Sequence, residues 1–384
     1  MIYEPAEDSY LLSEQVKKHA FGSVLDMGTG SGIQATTAAS LRKVKSVLAV
    51  DVSDEVIIFF KKQKLNKKIK IKKSNLFQSI KGRFNTIIFN PPYLPFDKRE
   101  PFDSQLATTG GKHGYEILVR FLLDINEHLT KNGTGLILFS SLTNKQKIDE
   151  TLEAIGYDFE IVAEKKISFE NLYIYKIKRN WLLQQLFDKK VTQIHKLMKG
   201  HRGIIFTGMY KGKKIAIKAQ RLELNIRTVD REAGMIAKVN KKGIAPKLLF
   251  KGKNYFAYGF AEGEFIRDFL KHSKKAETKR VLLETLRQCR VLDIMKITKE
   301  EMHNPYKHVI VGKAVTLVDF ERAHYDPAPK NITQFCQYIL RNHQLLAAKR
   351  MHFKKEDVIK LARHYKNNQT VENYKKITSF VSAL

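Results

Sequence analysis

Cysteine is nearly absent. Cys289 and Cys336 are the only two in 384 residues, and no Cys-x-x-Cys occurs. Neither a disulfide framework nor a cysteine-ligated zinc site is therefore expected. No run of about 18 apolar residues is present, which argues against a membrane-spanning helix. No secretory signal opens the chain, so a reducing cytoplasm is the expected setting. Internal repeats and low-complexity tracts are missing as well. Acid is scarce: 39 Asp+Glu face 69 Lys+Arg, for a net charge of +30. The imbalance is uneven, +5 through residue 178 and +25 beyond it. A basic half suits a polyanion such as RNA or the ribosome. A general richness in Lys, Ile and Asn would raise the charge equally without any binding face.

The length suits two domains, and 43% hydrophobic residues can fill two cores. Strands read at about 23–26, 46–50, 69–73, 85–90, 134–140, 157–163 and 170–177. Helices fit at about 6–20, 32–42, 54–65, 114–130 and 144–155. That alternation predicts an α/β doubly wound sheet, closed by a terminal hairpin around Lys165-Lys166. Lys178-Arg179-Asn180 reads as a boundary, giving domains 1–178 and 183–384.

Two motifs in the first region carry chemistry. Val24-Leu25-Asp26-Met27-Gly28-Thr29-Gly30-Ser31-Gly32 is a strand running into a glycine-rich loop. Alone it fits a dinucleotide as well as S-adenosylmethionine. Leu48-Ala49-Val50-Asp51, about 20 residues on, ends a second strand in an acid suited to a ribose diol. Ser74-Asn75-Leu76-Phe77 follows a third strand, where an adenine would lie. A solvated strand end would also explain Asp51 in isolation. The apolar run Thr86-Ile87-Ile88-Phe89 then leads into Asn90-Pro91-Pro92-Tyr93. An amide or exocyclic amine nitrogen is a poor nucleophile because its lone pair is delocalised. Asn90 can accept one N–H, and a proline-fixed backbone can present a carbonyl to the other. Tyr93 can stack on the planar group. Positioning of this kind can contribute about 7–11 kcal/mol to lowering a barrier. A strand end with a proline turn is the bland alternative.

The first 178 or so residues resemble the HemK-type protein glutamine methyltransferases, in particular their short archaeal and eukaryotic branch. The resemblance rests on Tyr3-Glu4-Pro5-Ala6-Glu7-Asp8-Ser9-Tyr10-Leu11-Leu12, on Asn90-Pro91-Pro92-Tyr93, and on Thr109-Gly110-Gly111-Lys112-His113-Gly114 with Phe121-Leu122. It implies a Rossmann-like class I fold and N5-methylation of the Gly-Gly-Gln glutamine in a class I release factor. It implies S-adenosylmethionine over Asp26, Gly28, Gly30, Gly32, Asp51 and Asn75, with Asn90, Pro91, Pro92 and Tyr93 at the acceptor. Asn75 stands where that family usually carries an acid. Relatives in this branch use a small zinc-binding activator along a sheet edge, and Ile69-Lys70-Ile71-Lys72-Lys73 is the matching strand. Asn-Pro-Pro-Tyr is shared with adenine-N6 methyltransferases of RNA and DNA, which stay open as the rival class. A non-catalytic assembly protein at the translation machinery is a third reading.

The second region reads as a strand-rich part followed by a larger helical part. Strands fit at 203–210, 213–219, 247–251 and 254–260, a helix at 228–241, and a hairpin at 307–319. Lys214-Ile215-Ala216-Ile217-Lys218, with Glu232 in the following helix and Val318-Asp319-Phe320-Glu321 later, resembles the protein-kinase pattern. Phe260-Ala261-Glu262-Gly263 reads as the link between lobes. His201-Arg202-Gly203 with Gly208 reads as a phosphate-covering turn, although the full Gly-x-Gly-x-x-Gly is missing. Residues 183–340 resemble an archaeal family of kinase-like proteins distantly like the RIO group, through Glu301 to Val311, Val318 to Ala323 and Pro329 to Phe335. That likeness implies a small bilobal α+β domain that binds ATP through Lys218 and Glu232, with Mg on Asp319. Counting back from the hairpin puts His303 and His308 where a kinase carries its base Asp and metal-binding Asn.

Overall fold

A computed structural model describes residues 3–99, 105, 108–200, 203–221 and 229–384. The chain forms two compact units, Met1–His195 and Lys196–Leu384. The boundary falls later than the expected 178–183. The helix Trp181–Asp188 belongs to the first unit because Leu182, Leu183 and Leu186 are buried. The Arg179 guanidinium also lies over the Phe187 ring, 4.2 Å from its centre.

The first unit is the expected doubly wound sheet. Its strands are β1 (Gly22–Met27), β2 (Val44–Asp51), β3 (Ile69–Lys73), β4 (Phe84–Phe89), β5 (Leu94–Pro95), β6 (Thr109–Gly111), β7 (Leu129–Ser140), β8 (Tyr157–Ile167) and β9 (Glu170–Arg179). The order of the main sheet is β3-β2-β1-β4-β7-β9-β8. The first five strands pair parallel, and β7, β9 and β8 pair antiparallel. Helices α1 (Glu7–His19), α2 (Ile33–Ser40) and α3 (Asp54–Lys62) and the helices Glu116–His128 and Lys145–Ile155 accompany it. Central strands are apolar along their length because both faces are covered, as in Thr86-Ile87-Ile88-Phe89. Helix α1 begins with Glu7 and Asp8 and ends in Lys17, Lys18 and His19, which suits its dipole.

The register fixes where chemistry can happen. Met27 lies beside Val50 on one side and Phe89 on the other. Residues just past β1, β2 and β4 therefore emerge together at one end of the sheet. The connection from β1 crosses to β2 on one side, and β4 lies on the other. This is the switch point where open α/β sheets bind ligands.

The second unit has a five-stranded sheet of β10 (Thr192–Lys199, which begins ahead of the Lys196 boundary), β11 (Gly203–Tyr210), β12 (Lys213–Gln220), β13 (Leu248–Gly252) and β14 (Tyr255–Gly259). Their order is β10-β11-β12-β14-β13. The helix Val229–Asn240 packs on β13 and β14. Smaller ladders join β15 (Glu264–Phe265), β17 (Val309–Val311) and β18 (Val315–Leu317), and separately β16 (Ile297–Thr298) with β19 (His324–Tyr325). The helices Lys275–Ile294, Asn331–Arg341, Lys355–Asn367 and Val371–Ala383 complete it around one core that includes Phe256, Leu286 and Phe335. Strands form near 203–210, 213–219, 247–251 and 254–260 as expected, whereas β10, β15, β16 and β19 go beyond the expectation. Gly208 lies inside β11 opposite Ile215 and not in a turn, while His201 and Arg202 lie outside the described residues.

Candidate active site

A cavity of about 660 Å³ opens at the switch point. Gly28, Gly30, Asp51, Asn75, Asn90, Pro91, Pro92 and Tyr93 all line it. Four separate segments of sequence thus converge on one cavity. Gly28 has φ +64, and a Cβ there would lie 3.4 Å from the Phe89 ring, so the loop runs tight against the end of β4. Asp51 accepts from the Gly30 amide at 3.0 Å and from the Ser53 amide at 2.9 Å. Its carboxylate is thereby held at the rim of the cavity.

Asp26 and Gly32 do not line the cavity, contrary to expectation. Asp26 is buried under the loop, where one oxygen accepts from Thr29 Oγ1 at 2.6 Å and from the Ala35 amide at 3.0 Å. Burial pushes its carboxyl up to about 7. It ties the glycine loop to α2 instead of meeting a ligand. Gly32, with φ +83, sits where a Cβ would fall 2.3 Å from Phe60, so only glycine allows that packing.

Asn90 shows the most specific arrangement. Its Nδ2 donates to Asp8 Oδ2 at 2.9 Å. Asp8 is almost fully buried, and its other oxygen accepts from Tyr3 Oη at 3.1 Å and the Ser9 amide at 2.6 Å. A carboxylate can only accept, so Asn90 must turn its nitrogen to Asp8 and its oxygen away. That oxygen, Oδ1, is buried and has no hydrogen-bond partner. A buried, unpaired acceptor costs stability unless a ligand supplies the donor. Tyr93 lies alongside, its carbonyl accepting from Thr143 Oγ1 at 3.1 Å. Burial and the nearby Asp8 charge push the Tyr93 phenol well above its ordinary range, so it stays neutral.

Composition and spacing pointed to the strand-end residues and missed Asp8, Tyr3 and Gln34. Gln34 lines the cavity in the second position of α2. Its Nε2 donates to the Ser9 carbonyl at 2.8 Å, and its Oε1 is buried and unpaired. The opening motif marked Asp8 by resemblance without saying what it touches.

The family described as Methyltransferase small domain matches residues 6–169. A protein named as an N5-glutamine methyltransferase of Methanocaldococcus jannaschii is 38% identical over 177 residues, covering 45% of this chain and 89% of that relative. Through its first half, the chain belongs to the HemK-like protein N5-glutamine methyltransferases. The release factor glutamine methyltransferase of Borreliella burgdorferi is 33% identical over 149 residues, 35% of this chain and 51% of that protein. Among solved structures, the E. cuniculi Mtq2–Trm112 complex, which methylates the termination factor eRF1, covers 46% of this chain and 98% of its own, at 25% identity and TM-score 0.38. HemK-like methyltransferases use S-adenosylmethionine, and the cavity fits that cofactor. It offers a glycine loop, the Asp51 carboxylate, the Asn75 amide and the unpaired Gln34 Oε1.

The second unit of this HemK-like chain holds a separate charged cluster. Lys218 Nζ lies 2.7 Å from Glu232 Oε2, 2.9 Å from Asp319 Oδ1 and 3.2 Å from Glu321 Oε2. Burial alone would lower the Lys218 pKa, but Glu232 and Asp319 hold it well above its ordinary range. Burial opposes ionisation of Asp319, yet Lys218 and Lys299 draw its carboxyl down to about 2. Asp319 adopts the left-handed conformation, φ +61. Glu232, Asp319 and Glu321 bring ligand oxygens within 4.8 Å of one another. His308 Nδ1 approaches Asp319 Oδ2 at 3.7 Å. His303 does not join them. Its Nδ1 lies 3.0 Å from the Glu300 carbonyl within its own turn, because Glu300–His303 coils into a short 3₁₀ helix.

Proposed function

We propose that the first unit methylates a glutamine side-chain amide in the Gly-Gly-Gln tip of a class I release factor. The buried, unpaired Asn90 Oδ1 carries this reading. It is the acceptor that an amide N–H needs, in a cavity that also bears the cofactor loop. S-adenosylmethionine supplies an electrophilic methyl group. Asn90 takes one N–H of the acceptor, and the Pro91-Pro92 backbone takes the other. This draws the nitrogen toward tetrahedral geometry, while Tyr93 covers its face. No strong base is required, since the methylated nitrogen sheds its proton late. The edge strand β3 is where a small zinc-binding activator would add, and its exposed Lys70, Lys72 and Lys73 blunt that edge against unspecific pairing.

The test is labelled methyl transfer to a purified release factor and to total RNA, side by side. Label should survive nuclease and vanish when the acceptor glutamine becomes alanine. Label recovered as N6-methyladenine would overturn the proposal in favour of a nucleic-acid methyltransferase.

For the second unit we propose a kinase-like nucleotide site. The Lys218–Glu232 pair beside Asp319 supports it, since a buried lysine held by a helix acid is how kinases present an ammonium to phosphates. Lys218 would meet the phosphates, and Asp319 with Glu321 would hold Mg. RNA binding by the basic second half is the competing reading, marked by affinity that falls steeply with salt.

A further inference from the structure

We infer that Glu301, and not His303, is the proton acceptor for a phosphoryl transfer in the second unit. This rests on the nucleotide reading of the Lys218–Asp319 cluster.

Strands β16 and β19 pair through Ile297 with Tyr325 and Thr298 with His324. Residues 299–301 follow β16 directly, and residues 319–321 lie just before β19. The pairing therefore lays these two segments side by side. Lys299 joins them. It is fully buried, and its Nζ donates to the Asp319 carbonyl and sits 3.4 Å from Glu301 Oε2 and 3.5 Å from His308 Nδ1. Burial pushes the Lys299 ammonium down, and the Glu301 and Asp319 charges oppose that.

The backbone is held too. The Lys299 amide donates to Asn331 Oδ1 at 2.8 Å. Asn331 Nδ2 in turn donates to Asp293 Oδ1 at 2.7 Å and the Ile297 carbonyl at 2.6 Å. Asp293 also takes the Tyr365 hydroxyl at 2.9 Å. Four buried groups thus fix the segment that ends in Glu301. The Glu301 side chain keeps 16% exposure, so a substrate can reach it. The positioned carboxylate faces an ammonium that also donates to the Asp319 backbone carbonyl. His303 shows no such link, its Nδ1 lying 3.0 Å from the Glu300 carbonyl.

In the step we assign, an acceptor hydroxyl gives its proton to the Glu301 carboxylate. The hydroxyl oxygen bonds to the terminal phosphorus of ATP. The bond from that phosphorus to the bridging oxygen breaks, and its electron pair leaves with ADP.

The experiment uses the full chain with ATP and Mg. Binding is read as a thermal shift, and turnover as labelled phosphate released or transferred. Wild type should show both. Glu301→Gln should keep the ATP shift and lose about 100- to 10,000-fold in turnover, the usual contribution of a general base. Glu301→Asp, which keeps the carboxylate, should retain measurable turnover, and His303→Ala should behave as wild type. Undiminished turnover by Glu301→Gln would overturn the inference. So would a wild type that binds ATP without turning it over, which leaves the binding reading intact. A wild type with no ATP shift overturns both.

Discussion

Asp8→Asn is the sharpest perturbation of the methyl-transfer site, because it changes one atom and inverts a neighbour. Asp8 Oδ1 accepts from the Ser9 amide at 2.6 Å, a donor fixed by the backbone of α1. The oxygen of the substituted amide must stay there. Its nitrogen then faces Asn90 Nδ2, at the present 2.9 Å, where two donors oppose each other. Asn90 relieves this by turning its amide over. Its oxygen is then used up by the new neighbour, and the cavity sees an N–H where an acceptor was. Asp8 is only 4% exposed, so water cannot restore the original polarity. A hydrogen bond to a charged group is worth about 1.5–3 kcal/mol. If that orientation is lost only in the transition state, kcat should fall about 10- to 150-fold at 1.36 kcal/mol per decade. The assay is single-turnover methyl transfer to a release factor, with S-adenosylhomocysteine binding followed by calorimetry. Cofactor affinity should change by no more than about threefold, because Asp8 acts through Asn90 on the acceptor. A kcat within twofold of wild type would refute the reasoning. Equal losses in rate and cofactor affinity would also refute it, by placing Asp8 on the cofactor.

Asn90→Ala should abolish methyl transfer with cofactor binding kept, whereas Asp51→Ala should weaken cofactor binding first; calorimetry beside rate measurements separates them. Gln34→Leu should weaken S-adenosylhomocysteine binding measured by calorimetry, since it removes a buried, unpaired acceptor from a residue that lines the cavity. Asp26 should make the fold pH-sensitive. Its carboxyl titrates near 3.8 unfolded and about 7 folded, so the folded state binds the extra proton and stability is lost as pH rises between those values. Asp26→Asn keeps an acceptor for Thr29 and Ala35, and its melting temperature should gain on wild type as pH rises from 5 to 7.5, a trend absent if Asp26 ionises freely. In the second unit, ATP with Mg at 100 times its dissociation constant should add about 2.7 kcal/mol of stability. Lys218→Ala and Asp319→Ala should each remove that shift.

Much of the methyl-transfer site could be read along the chain. Gly28, Asn75 and Asn90 follow strands and Asp51 ends one, and a doubly wound sheet sends all these strand ends to the same side. The alternation of strand and helix was therefore enough to bring them together. Local pattern could not say which residues of one motif meet the cavity. Asp26 and Gly32 belong to the same motif as Gly28, yet Asp26, still within β1, bonds Thr29, and Gly32 leaves no room for a side chain beside Phe60. Nor could it pair Asp8 with Asn90 across 82 positions, because that contact depends on α1 packing beside the end of β4. The same limit applied to the second unit. Counting residues back from a hairpin assumes a loop of standard length, and the 3₁₀ turn Glu300–His303 takes His303 out of reach. Periodicity records which face of an element is buried. Which buried groups meet, and which polar atom is left without a partner, is decided only when distant segments pack and water is excluded between them.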